Sequence, residues 1–221
     1  MKFVELDDLY VSLAKRQPVE TAQQQVAAIY EKVREAGDID ALRLAHRPYK
    51  KLQDEVRPAL IYAASELPPS AEIQFHLADR GPDATAWPDL RSSPILIEVT
   101  VASGKVRFHQ MTALNDTGMG HGYTDATDDD SREHIKSRYE EHRGYSTEEA
   151  VKNVEAAIQR CVKRKSQHDA RTLVIYAPLN ILPARHWDRF MPEIACGLPL
   201  SKCREIFVVG SPGRDACYQL K

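Results

Sequence analysis

The sequence predicts a mixed α/β fold, and three observations predict it. Apolar residues recur at helical spacing through residues 1–66. From Glu72 onward, short alternating or continuous apolar runs bounded by turn residues read as strands. A capped amphipathic helix then separates the third of those runs from the next. The order is helices, a strand meander, a long helix, a strand, a short helix and a strand, which is not a doubly wound sheet.

Val19 to Ala36 carries Val26, Ala27, Ile29, Tyr30 and Val33 as a 3.6-period stripe, and Gly37 follows as a C-cap. A second helix is expected over Ala41–Leu52. A third is expected over Ala59–Glu66, with Pro58 at its start and Pro68-Pro69 stopping it. In Glu72–Ala78, Ile73, Phe75 and Leu77 share one face of a strand, with Gln74 and His76 on the other. Asp83–Trp87 reads as a second strand, and Asp89 to Pro94 is turn chemistry. Ile95–Ala102 is apolar almost throughout, so both its faces should be covered. Lys105–Leu114 is expected as a further strand, and Asn115–Asp130, with Gly118, Gly120 and Gly122, as a long loop. Ser131–Gly144 reads as a polar helix. Ser146 and Glu149 form a capping box opening a helix to about Gln167. Thr172–Ala177 and Glu205–Val209 are buried strands, with a short helix over Trp187–Cys196 between them.

The chain of 221 residues has the size of one domain, and 43% hydrophobic with 28% charged residues is globular composition. A formal charge of −2 argues against a protein that coats nucleic acid through bulk positive charge. The charge is nevertheless segregated. Gln159–Arg171 is net +4 and Arg43–Arg57 net +3, while Asp125–Glu133 is acidic. No run approaches the ~20 apolar residues of a membrane span. Glu5, Asp7 and Asp8 interrupt the start of the chain, unlike a secretory signal. Cys161, Cys196, Cys203 and Cys217 lack CxxC spacing and read as reduced thiols in a cytoplasmic protein. The histidines show no HxxxH or HExxH spacing, and Asp125–Asp130 lacks the glycine and terminal glutamate of a calcium loop, so it reads as a solvated acidic loop.

One constellation carries chemistry. Pro82-Asp83 precedes Ile-Leu-Ile-Glu98-Val-Thr100, with Asp83 and Glu98 fifteen residues apart on neighbouring strands of a hairpin. Glu98 and Thr100 point to the same face, because the side-chain period of a strand is two. A glutamate inside such an apolar run is costly to bury without a partner, and a divalent cation is one such partner. Asp89, in Pro88-Asp89, competes with Asp83 for the same part, at a spacing of nine that is tight because it lies where the turn begins.

Residues Glu66 to Tyr176 resemble the PD-(D/E)XK nuclease superfamily in motif and element order. The resemblance implies a restriction-endonuclease-like three-layer core, a mixed sheet flanked by helices, over residues 67–221. Residues 1–66 would supply extra N-terminal helices within the same domain. It implies hydrolysis of nucleic-acid phosphodiester bonds with Mg²⁺ or Mn²⁺ held by Asp83 and Glu98, and DNA ahead of RNA as partner. Glu66 stands where the family often places a third acidic ligand, and Gln74 would line the same cleft. The motif lysine is replaced by Thr100, an ExT form. Without a substitute lysine, the alternative is a non-catalytic nuclease-like module that binds nucleic acid or a protein partner.

Lys165 is the candidate substitute. It falls fourteen residues after Val151 on the stripe Val151, Val154, Ile158, Cys161, Val162, hence on the core-facing side of the capped helix, while Lys163 falls off that stripe. Its ammonium either snorkels to water or reaches Glu98. Arg160, Lys163 and Arg164 on the same helix are the expected contacts to a nucleic-acid backbone.

Overall fold

The computed structural model describes residues 6–44, 48–76, 81–89, 91–102, 104–117, 126–127, 129–140, 146–167, 171–211 and 215–221. Seven strands form one mixed sheet: β1 (Gln17–Pro18), β2 (Glu72–Phe75), β3 (Ala84–Trp87), β4 (Ile95–Val101), β5 (Thr172–Tyr176), β6 (Glu205–Gly210) and β7 (Ala216–Gln219). They lie in sequence order across the sheet. β1 to β4 pair antiparallel, β4–β5 and β5–β6 pair parallel, and β6–β7 pair antiparallel. The two parallel pairs require crossovers, which the helices between them provide.

Helices cover both faces. Alternation along the strands divides the core: Ile73, Phe75, Ile97, Val99, Val174 and Phe207 point one way. They meet α1 (Asp7–Leu13), α2 (Val19–Glu35) and α5 (Arg57–Glu66). Leu173, Ile175, Ile206 and Val208 point the other way, toward α8 (Thr147–Lys165) and α9 (Ala184–Cys196). Each fully buried aliphatic on these stripes contributes about 1.5–3 kcal/mol, which fixes register as well as stability. Among the described residues no helix is long and apolar enough to cross a membrane.

The expected helix over Ala41–Leu52 is divided. It becomes α3 (Ile39–Arg43), α4 (Tyr49–Lys51) and a π-helical turn, Leu52–Val56, that runs directly into α5. Leu52, Gln53 and Val56 stay buried while Asp54 and Glu55 lie half-exposed on the other side of the wider turn. Such insertions are frequent at functional sites.

Lys105–Leu114, expected as a strand, is instead part of α6 (Gly104–Thr117). Its Val106/Phe108 alternation is only two residues deep, and the stretch is otherwise rich in good helix formers. Val106 packs with Ala126 and with Ile135 of α7 (Arg132–Glu140), a small core outside the sheet. The glycine cluster Gly118–Gly122, Asp125 and Asp128 of the acidic loop, Leu77, His121, His142 and His168 lie outside the described residues. At the start of α8, Ser146 Oγ accepts from the Glu149 N–H at 3.2 Å and Glu149 Oε2 accepts from the Ser146 N–H at 2.9 Å, the expected capping box.

Candidate active site

The register of β3 and β4 sets the geometry. Ala84 pairs with Ile97 as the last pair of the register, and Asp83 follows immediately. The Asp83 N–H donates to Ile97 O and Asp83 O accepts from the His76 N–H, both at 2.9 Å. Asp83 therefore stands just beyond the registered pairs, beside Ile97 to Val99 of β4 and near enough to Glu98 to feel its charge. Asp83 Oδ2 accepts from the Val99 N–H at 2.7 Å and thereby satisfies the edge of β4 beyond the end of β3.

Glu98 is only 5% exposed. Two cations engage it: Lys165 Nζ lies 2.5 Å from Oε1, and Arg171 Nη1 2.5 Å from Oε2. Lys165 arrives at the C-terminal end of α8, on the side its apolar stripe buries. Arg171 immediately precedes β5, whose Leu173 is level with Glu98. Arg171 also donates to Gly81 O at 3.3 Å, tying Glu98 to the loop that carries Asp83. Gly81 has φ +108°, which a Cβ would strain, so glycine there lets this loop present its carbonyl. Thr100 Oγ1 accepts from Arg164 Nη2 at 2.6 Å, so the residue at the motif-lysine position also carries a cationic partner from α8.

A cleft of about 630 Å³ opens along β4 from Val99 to Val101, between the π turn and α6. Glu55, Asp54, Thr100 and Arg164 line it. Burial pushes the Glu55 carboxyl above its ordinary value, and the charge of Asp83 raises it further. Burial likewise raises Asp83, against the Val99 N–H; Glu98 raises it, while Lys165 and Arg171 lower it. Asp83 thus acts electrostatically on Glu55 in the cleft and is itself acted on by Glu98, and both Glu55 and Asp83 are destabilised as anions.

Of the residues expected from sequence, Asp83, Glu98, Thr100, Lys165 and Arg164 come together. Glu66 does not join them. It sits against Cys217 on β7, where burial raises the thiol pKa and Glu66 raises it further. β7 is three strands from β4, or about 14 Å at the usual strand spacing. Asp89 closes the turn between β3 and β4: its Oδ1 accepts from the N–H groups of Arg91 (2.6 Å) and Ser92 (2.7 Å). Its pKa is lowered by the Ser92 hydroxyl first and then by these N–H groups. It lies at the opposite end of the hairpin from Glu98. Gln74 donates to Ala14 O at 2.8 Å, turned to the loop after α1. Arg160 pairs with Asp129 at 3.6 Å, and Lys163 is exposed. Both nevertheless share with Arg164 the lining of a hollow of about 460 Å³ between α8 and the end of β4, with Val101, Ala157 and Cys161.

Glu55 and Arg171 are the two residues that sequence reasoning missed. Nothing in the local pattern marks the π turn that presents Glu55. Arg171 had one available signal: a lone arginine at the mouth of a buried strand, two residues before the position level with Glu98.

Among the described residues no group of three or more His, Cys, Asp or Glu side chains is positioned to hold a metal ion. A two-carboxylate site remains, and magnesium is commonly held by one or two carboxylates together with water and substrate phosphates. The hard oxygen donors and the raised Asp83 and Glu55 fit such a cation. No protein-family model, no curated protein and no solved structure matches this chain.

Proposed function

We propose that the protein is a metal-dependent nuclease hydrolysing phosphodiester bonds in nucleic acid, DNA ahead of RNA, on a restriction-endonuclease-like core of the PD-(D/E)XK kind. The observation that carries this reading is the meeting of Lys165 with Glu98 at 2.5 Å, where the charges of both also act on Asp83. A lysine from the following helix replaces in space what Thr100 lacks in sequence. Asp83 and Glu98 would hold Mg²⁺ or Mn²⁺, and Glu55, whose carboxyl feels the charge of Asp83, would be an acidic neighbour outside that pair. The cation, when bound, would lower the pKa of a water and neutralise charge on the phosphate. Lys165 would orient the attacking water or stabilise the developing phosphorane charge. The Val99 N–H fixes the Asp83 carboxylate, and Arg171 fixes Glu98 against the Gly81 loop. Arg160, Lys163 and Arg164 would run along the phosphate backbone beside the cleft. The free state of all four cysteines accords with a cytoplasmic setting.

The test is cleavage of single- and double-stranded DNA and RNA by purified protein with Mg²⁺ or Mn²⁺, beside Glu98→Gln. Metal-dependent cleavage that disappears in the variant is expected; equal cleavage by both would place the activity elsewhere or in a contaminant.

A specific observation favours a second reading. Both oxygens of Glu98 already have cationic partners at 2.5 Å, so the site is electrostatically satisfied without a metal. That supports a non-catalytic module that binds nucleic acid or a protein partner. Calorimetric titration with Mg²⁺ separates the two: absence of binding at millimolar metal, with the fold intact, would favour the module.

A further inference from the structure

A second hollow, of about 290 Å³, lies beyond the cleft at the C-terminal ends of β4 and β5. The two cavities share Arg43, Val101 and Arg107, so they adjoin. Their chemistry differs. The cleft wall mixes arginine and lysine with Asp54 and Glu55. Among the described residues, the hollow is lined by three arginines, Arg43, Arg57 and Arg107, with no lysine and no carboxylate.

The three guanidiniums are held loosely. Arg57 lies 3.6 Å from Asp215 and donates to Ser211 Oγ at 3.2 Å. Arg107 lies 3.2 Å from Asp54, and Arg43 3.5 Å from Asp40. None approaches the 2.5 Å contacts that close around Glu98. The ring of Tyr176 lies near two of them, its centre 6.0 Å from the Arg57 guanidinium carbon and 5.5 Å from that of Arg107. Each guanidinium is offset by a single carboxylate that does not line the hollow, so three cationic groups share one concave wall that suits a multiply charged anion. Guanidinium forks match the oxygen geometry of phosphate, which a point-charge lysine does not. The volume lies near the lower end of ligand pockets, with room for one nucleotide-sized group and none for a duplex. The carboxyl ends of parallel strands are where open α/β sheets commonly take ligands.

We propose that this hollow binds a phosphomonoester. The source of that group rests on the nuclease reading: a strand lying in the cleft would deliver its terminal phosphate here, making the protein selective for phosphorylated ends. Free phosphate is the other source of the same chemistry.

The experiment is calorimetric titration of the full-length, metal-free protein with 5′-AMP, inorganic phosphate and adenosine. Wild type should bind AMP with one-to-one stoichiometry and leave adenosine unbound. Arg57→Lys keeps the charge and removes the fork. Gln110→Glu adds a carboxylate to the same wall from a half-buried position on α6, and serves if the first variant folds poorly. Each should weaken AMP binding about tenfold or more. Phosphate bound much more weakly than AMP assigns the hollow to a nucleic-acid end, and phosphate bound equally well assigns it to free phosphate. No binding of either anion at about 10 mM, or affinity unchanged in both variants, overturns the proposal. Glu98→Gln should lose cleavage yet bind AMP as wild type does, so failure of the nuclease reading and failure of this one are told apart.

Discussion

The two faces of β4 are buried to nearly the same degree by opposite means. Ile97 and Val99 face α5 and are 0% and 6% exposed; Glu98 and Thr100, between and beside them, face α8 and are 5% and 6% exposed. The first pair is held by contact area that many aliphatic side chains could supply. The second is held by Lys165, Arg164 and Arg171, three long cations brought from elements 64 to 73 residues away in sequence. One strand therefore contains a face tolerant of conservative change and a face whose stability depends on individual partners. A buried polar arrangement of that kind is weak evidence for stability and better evidence for a task.

The contrast is tested most severely at Glu98. Glu98→Gln should abolish metal-dependent cleavage and also destabilise the fold, because Lys165 and Arg171 lose their shared anion. Removing one partner of a buried pair typically costs about 3–5 kcal/mol, and glutamine retains one carbonyl acceptor, so the lower half of that range is expected. At ~2–4 °C per kcal/mol for a chain of this size, thermal unfolding should show a Tm lower by about 6–16 °C. An unchanged Tm would mean that the pairs seen at Glu98 contribute nothing net.

Lys165→Met comes next. It keeps the stem that packs along α8 and removes the charge. A fall of about 10²–10³ in kcat is expected, the usual cost of losing one donor aimed at developing charge, with less change in KM. A KM effect alone would make Lys165 a binding residue. On the other face, Ile97→Val should cost only about 1 kcal/mol in chemical denaturation and leave activity per folded molecule unchanged. A large activity loss there would break the division between the two faces.

Much of this arrangement is legible from sequence because it follows from periods. A lone glutamate in a continuous apolar strand, an aspartate on the preceding strand and a lysine on the helix stripe are each fixed by counting twos or by the 3.6-residue period. What escaped depends on tertiary packing. The π turn shifts Glu55 into the cleft through one widened turn with no compositional sign. Glu66 ends α5 as expected, but α5 packs chiefly over β5, β6 and β7, so its last residue reaches Cys217 instead of β4. The direction in which a helix crosses a sheet is not written in its own residues. β1 and β7 are edge strands of two and four residues that carry little of the core, and so leave no apolar run to read.

Glu55 gives the smallest effect and the one with a distinctive sign. Its pKa is raised by burial and then by Asp83. A carboxyl whose folded pKa lies above its unfolded value, about 4.3, binds more protons in the folded state. Its contribution to stability is fully present below the unfolded pKa and is lost as pH rises through the folded one. Glutamine does not titrate, so Glu55→Gln should match wild type near pH 4 and exceed it above the folded pKa, without metal. Glu55 is half-exposed and solvent screens it, so the gain in Tm should not exceed about 2–4 °C, the effect of ~1 kcal/mol. Saturating Mg²⁺ should narrow the difference at pH 7, since a cation bound at Asp83 favours the neighbouring Glu55 anion. Neutralising Glu98 and neutralising Glu55 thus shift metal-free stability in opposite directions, because one anion is held between two cations and the other beside an anion. Thermal melts at pH 4 and 7, with and without Mg²⁺, measure all of this. A Glu55→Gln variant less stable than wild type at pH 7 without metal would mean that neither burial nor Asp83 disfavours the Glu55 anion.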